Sequence, residues 1–247
     1  MIAIWLKEHF ETVWRLLFLA CSLPAVWLLY CYYGETLGPN PLSLLLHTTG
    51  RSALVLLTIT LTITPLRRWM SQLSKFAHLR YGKRLSDWNW LVRLRRLLGL
   101  WCFAYALAHG WIYAAFDLGY DWATAWIEVQ EKPYLLAGAS ALAMLFPLAA
   151  TSTQSMMKRL GGNWRRLHTM TYAVAVAALL HFWWMMKPGL WTPWPDTALL
   201  TVLLGYRLAL HSGWFERWDG FNGMDSQDRA TENKPMKSTN PTLGESA

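Results

Sequence analysis

Along the chain, long apolar runs alternate with short basic or acidic stretches, and the runs exceed what a buried core helix needs. Six of them approach the ~20 residues an α-helix requires to cross a lipid core: residues 12–33, 41–64, 94–116, 134–150, 167–187 and 195–211. Pro65 is expected to stop the second run, and Pro147 to kink the fourth near its end. The pattern predicts an all-α fold, a polytopic membrane bundle of six transmembrane helices within residues 1–215. From Glu216 onward Ser, Thr, Asn, Gly, Pro and charges take over, which predicts a polar, disordered tail over 216–247. The first run is of full membrane length with no small-residue cleavage site before polar sequence, so it is expected to be a retained span and not a signal peptide.

Charge orients the bundle. The connection after the second run carries Arg67, Arg68, Lys75, Arg80, Lys83, Arg84 and Arg93, and the one after the fourth carries Lys158, Arg159, Arg165 and Arg166. The first connection has no Lys or Arg, and the third sets Asp117, Asp121, Glu128 and Glu131 against Lys132 alone. By the positive-inside rule both basic connections and both termini face the cytoplasm. The net charge of +8 therefore belongs to membrane topology and lipid, with no nucleic-acid partner expected. The 17 tryptophans suit an interfacial aromatic belt. Cys21, Cys31 and Cys102 lie in or at the ends of apolar runs without CxxC spacing, which excludes a disulfide framework, a zinc site and an iron–sulfur site. No glycine-rich phosphate loop and no room for a soluble dinucleotide-binding domain remain.

The candidate chemistry lies in the histidines. The fifth run, LHTMTYAVAVAALLHFWWMMK, holds His168 and His181, 13 residues or about 20 Å of helix apart. Ionisable groups inside a span point to function, and haem ligation is the first idea to test against interfacial placement and packing. The third and fifth runs cross in the same direction, with His109 about 15 residues into one and His181 about 14 into the other, so their depths agree within about one turn. Two imidazoles at one depth on different helices suit the two axial positions of a haem iron; hydrogen bonding between helices is the alternative. His168 finds no histidine partner: 13 residues before His109 stands Arg96. On an ideal helix His168 and His181 are also about 140° apart, so one straight seam cannot serve both.

His47 and Arg51 share one helix face in HTTGR, near the depth of the histidine pair. Arg51 requires an anion, for which a haem propionate or a lipid phosphate qualifies. Arg95 and Arg96, with Arg165, Arg166 and Trp164, gather at the cytoplasmic side. That surface suits a flavin phosphate and ring, but on residues alone anionic lipid headgroups are its simpler occupant. Trp101, Tyr105, Trp183 and Trp184 near the proposed haem read mainly as packing against helices and lipid.

HTTGR, RRLLGLWCFAYALAHG, TSTQ, LGGNWRRLH and HFWW, in this order over residues 41–187, resemble the haem-binding membrane subunits of the bacterial methionine-sulfoxide reductase system. That family lies within the ferric-reductase-like transmembrane superfamily. The resemblance implies a multi-pass b-type cytochrome of the bacterial inner membrane with one or two haems b, their iron ligands carried over to His109, His181 and His168, and with FMN. It implies an electron-transfer subunit, with the catalytic centre in a periplasmic molybdopterin-containing methionine-sulfoxide reductase that repairs oxidised proteins. The cytoplasmic electron donor would be a flavin reductase or the quinone pool. A ferric or quinone reductase-type cytochrome is the neighbouring alternative, and a haem-free transporter or scaffold the alternative of another class. The long second connection and the polar tail depart from the family pattern.

Overall fold

The computed structural model describes residues 9–78, 83–186 and 193–211. Nine α-helices are found among them, and no strand. α1 is Phe10–Tyr33, α2 Pro41–Phe76, α3 Asn89–Ile112, α4 Trp122–Glu131 and α5 Pro133–Ala150. α6 is Gln154–Leu160, α7 Gly162–His168, α8 Met170–Met185 and α9 Trp194–His211. The chain divides into two compact units, residues 1–204 and 205–247, and in the second the described residues are 205–211. The expected tail from Glu216 lies outside the described residues.

Among the described residues, four helices are long and apolar enough to cross a membrane: α1, α2, α3 with its terminal π-turn Tyr113–Asp117, and α5. The described residues of the fifth and sixth expected runs are helical but do not qualify as spans by length and composition. The fifth is divided at Thr169, leaving α8 with 16 residues, short of the ~20 for a full crossing. α9 carries Asp196, Arg207 and His211 within its 18 residues.

The second run also departs from expectation, because Pro65 does not stop it. α2 continues for 36 residues with Pro65 buried inside, about 54 Å of helix against a lipid core of ~30 Å. Proline withholds a single ladder bond, and the packed surroundings of a membrane helix tolerate that loss. Ahead of it Thr58, Thr60 and Thr62 each donate a hydroxyl to the carbonyl four residues back, so their polar atoms are satisfied within the helix. The far end is tied to the following connection by Ser71 donating to the Lys83 carbonyl at 2.7 Å and Arg67 to that of Leu85 at 3.2 Å. At its start, Pro41 follows the Asn40 cap, whose side-chain oxygen accepts from Ser43 N–H.

The packed interior lies between α2, α3, α8 and α9 around Leu57, Leu61, Leu98, Cys102, Val174, Ala175 and Leu200. Large apolar side chains on α1 and α5, including Leu16, Leu23, Trp27, Leu136 and Phe146, are turned outward, as in a protein whose solvent is lipid. The acidic connection is itself partly helical: Asp121 caps α4 by accepting from Ala123 and Thr124 N–H. Glu128 on α4 accepts from Tyr113 at 2.6 Å and pairs with Lys132 at 2.7 Å. The Lys132 ammonium, and then the Tyr113 hydroxyl, hold the Glu128 carboxyl below its ordinary range.

α1 is pinned to α3 by one side chain. Tyr105 donates its hydroxyl to the Cys21 carbonyl at 2.7 Å and accepts from Ala25 N–H at 3.1 Å. Those are the two groups an unbroken helix would join directly, so the phenol is inserted into the α1 ladder beside Pro24, a recognised way to open a helix. Tyr105→Phe is expected to lower stability by about 0.5–1.5 kcal/mol, read as a lower thermal midpoint in detergent. An unchanged midpoint would mean that the hydroxyl does not hold α1.

Candidate functional site

Spacing along α3 puts His109 one turn beyond Tyr105, facing α2 and α8, while His181 lies near the end of α8 facing α5. The two rings meet with centroids 6.0 Å apart and planes at 84°. With imidazole–metal bonds of about 2 Å, two rings on opposite sides of one metal ion place their centroids roughly that far apart. The depth match inferred from the sequence thus corresponds to a real juxtaposition across the helices.

Both imidazoles are held in the same way. His109 Nδ1 lies 3.0 Å from the Leu46 carbonyl on α2, and His181 Nδ1 lies 2.7 Å from the Tyr134 carbonyl on α5. A carbonyl only accepts, so each Nδ1 carries the proton and donates it, leaving Nε2 with its lone pair in the neutral ring. This is the arrangement that orients and polarises a metal-binding histidine.

Each carbonyl sits four residues before a glycine, and the glycine makes the approach feasible. A Cβ on Gly50 would lie 3.0 Å from His109 Cε1 and 3.1 Å from its Nδ1. On Gly138 it would lie 2.8 Å from His181 Nδ1 and 3.0 Å from Cε1. Thr49, beside the first cradle, has its hydroxyl 3.4 Å from His109 Nδ1 and donates to the Leu45 carbonyl at 2.7 Å. Among the described residues no group of three or more His, Cys, Asp or Glu converges on a metal site. A ligand that needs only two axial nitrogens fits this pair; a bare ion needing a cage does not. The donor chemistry, the separation and the glycine cradles all suit haem.

His168 is held elsewhere and differently. It ends α7, its ring stacked on Trp164 at 3.9 Å and its Nδ1 3.1 Å from the Trp164 carbonyl. Trp164 in turn donates to the Thr151 carbonyl at 3.0 Å. α6 begins at a Thr153 cap that accepts from Met156 N–H, so the TSTQ stretch ends one helix and starts the next. Gly161, at φ +51°, supplies the left-handed turn between α6 and α7. Arg95, on α3, is half-buried. Arg96, Arg165 and Arg166 are exposed.

Arg51 has an anionic partner that sequence reasoning missed. Its guanidinium pairs with Asp196 in the first turn of α9 and lies 6.0 Å from the centroid of the Phe182 ring. A propionate is therefore not needed to explain this cation. His47, on the same face of α2, is exposed. Gly50, Gly138 and Asp196 are positions at the candidate site that the sequence reading does not single out. A glycine inside an apolar helix does signal close approach of a neighbour, and both Gly50 and Gly138 carry that signal.

Comparison with known proteins places the chain in a family. Residues 49–179 match the family model described as "Ferric reductase like transmembrane component". A Xanthomonas euvesicatoria pv. vesicatoria protein named "Protein-methionine-sulfoxide reductase heme-binding subunit MsrQ" is 40% identical over 174 residues, 70% of this chain and 72% of its own length. The chain belongs to the MsrQ family. The Herminiimonas arsenicoxydans protein of the same name is 41% identical over 171 residues, covering 69% of this chain and 71% of the relative. No solved structure matches the chain. The chain is a multi-pass membrane protein.

The cradles generate a test. Alanine in place of a helix glycine gains about 1 kcal/mol in propensity, whereas overpacking costs about 1–3 kcal/mol. At Gly138 the neighbour is a rigid, hydrogen-bonded ring, so the clash should win. Gly138→Ala is expected to lower the thermal midpoint and Gly50→Ala to do so less, while Gly99→Ala, whose Cβ meets nothing within 4 Å, leaves it unchanged or raised. Equal behaviour of Gly138→Ala and Gly99→Ala would remove the cradle argument.

Proposed function

We propose that the chain is a b-type cytochrome subunit that carries electrons across the bacterial inner membrane to a periplasmic methionine-sulfoxide reductase containing molybdopterin, for repair of oxidised proteins. The observation that carries this reading is the facing His109–His181 pair, each Nδ1 committed to a carbonyl, which leaves Nε2 as the nitrogen with the lone pair in each neutral ring. Haem b, bound there, supplies one-electron chemistry. His109 and His181 would be the residues that hold it, each through Nε2, and a haem iron bound by two imidazoles would suit electron transfer more than substrate chemistry on the metal. Methionine-sulfoxide chemistry then belongs to the partner, in keeping with the names of the relatives.

The charge pattern of the connections supports six crossings with both termini in the cytoplasm. Electrons enter, on this reading, at the arginine-rich face beside His168, from a flavin reductase or the quinone pool. They leave toward a partner docked on the acidic connection that contains α4. Arg95, Arg96, Arg165 and Arg166 suit a phosphate, either of FMN or of membrane lipid. Trp164 already stacks on His168 and uses its N–H on Thr151, so the flavin ring has less to stack on than the sequence suggested, and FMN enters no step here. His168 is the ligand for a second haem if one is held.

The test is a haem assay with a reduced-minus-oxidised spectrum on the purified, haem-supplied protein. His109→Ala and His181→Ala are each expected to abolish the main haem signal, and His168→Ala to leave it in place. Haem unchanged in both of the first two variants would defeat the assignment, and a haem-free wild type would favour a transporter or scaffold. Co-purification with a periplasmic molybdoenzyme separates this reading from a reductase of ferric iron or quinone.

A further inference from the structure

Arg51 and Asp196 stand apart from the histidine pair in sequence but not in space. Arg51 follows Gly50, the cradle of His109, and its guanidinium approaches the ring of Phe182, which follows His181. Asp196 starts α9, where Thr197 accepts from Trp183 Nε1 at 2.8 Å and Trp194 meets the Trp183 ring edge-to-face at 5.0 Å. One ion pair thus joins α2, which cradles His109, to the start of α9, which packs on the residues following His181. On its other side Arg51 borders an apolar groove of about 280 Å³ between α1 and α2, lined by Leu17, Cys21, Pro24 and Val55. The Arg51 side chain is 45% exposed and that of Asp196 13%, and beside apolar surface an uncompensated charge is screened less than in bulk water.

We infer that the Arg51–Asp196 ion pair is a positioning and charge-balancing element that sets the redox potential of the iron held by His109 and His181. The inference rests on the haem assignment above. Its physical content is a sign. Ferric haem carries one more positive charge than ferrous haem, so a lone cation nearby disfavours the ferric state and a lone anion favours it. Paired, Arg51 and Asp196 nearly cancel. Removing Asp196's charge leaves Arg51 uncompensated and raises the potential; removing Arg51's charge leaves Asp196 uncompensated and lowers it.

The experiment is a potentiometric titration of haem absorbance in the full-length membrane protein for wild type, Asp196→Asn, Arg51→Gln and the double variant. The midpoint is expected to move up in Asp196→Asn, down in Arg51→Gln, and back toward wild type in the double variant. Shifts of the same sign in both single variants, or none, would overturn the inference, since merely loosened packing has no reason to reverse sign. Should a single variant fail to retain haem, retention by the double variant but not by that single one supports charge balance, and loss in both overturns it. A wild type without haem instead fails the functional assignment itself, so the two failures are distinguishable.

Discussion

A main-chain carbonyl that accepts from an imidazole across a helix–helix contact is the constraint on which this bundle depends. Leu46 and Tyr134 each already belong to a helix, and for His109 and His181 to reach their carbonyls the rings must lie almost on the backbone of α2 and α5. Only a residue without a side chain permits that one turn further on, and Gly50 and Gly138 occupy those positions. The result is two helix pairs, α2 with α3 and α5 with α8, each fixed by a histidine in a glycine notch, and brought together where the rings face. The other helices attach close by: α1 through Tyr105, one turn from His109, and α9 through Asp196 and Thr197, against residues flanking the site.

Polar atoms elsewhere in the long helices follow the same logic of internal satisfaction. Thr58, Thr60 and Thr62 bond their own helix, Ser140 donates to the Ala137 carbonyl, and Thr151 to that of Pro147. Such bonds keep hydroxyls from competing for a neighbour inside lipid, where an unmet polar group is costly. Groups that do reach between helices, among them Tyr105, His109, His181, Trp183 and the Arg51–Asp196 pair, then help to specify which helices pack together.

The histidine pair was legible in the sequence because it needed only loop charges for direction and a fixed rise per residue for depth. What fixed its orientation was not legible. The glycines are visible, but which histidine faces which glycine depends on helix neighbours that the charge pattern does not encode. Asp196 lies 145 residues from Arg51 and carries no local mark of partnership, so the sequence reading supplied Arg51 with an anion from outside the chain. Pro65 misled for the opposite reason. The local rule that proline ends a helix is a rule for water, and α2 passes through it within packed surroundings. The acidic connection looked like a loop because α4 is amphiphilic and short, with nothing buried to set its period.

The awkward angle between His168 and His181 has a structural answer. The apolar run that contains both is divided at Thr169, so an ideal-helix angle does not relate them. Their supports differ as well. His109 and His181 are oriented by carbonyls of other helices and move only if the bundle moves. His168 bonds and stacks within its own seven-residue helix, between Gly161 and Thr169, so its orientation depends on how α7 is seated through Trp164 on the end of α5. On the function proposed above, a ligand held by tertiary contacts suits a site whose geometry must stay constant through a redox cycle. A ring held locally at an arginine-rich edge is better placed to respond to what docks there. The two imidazoles of the fifth run therefore belong to different mechanical units of the fold, even though 13 residues separate them.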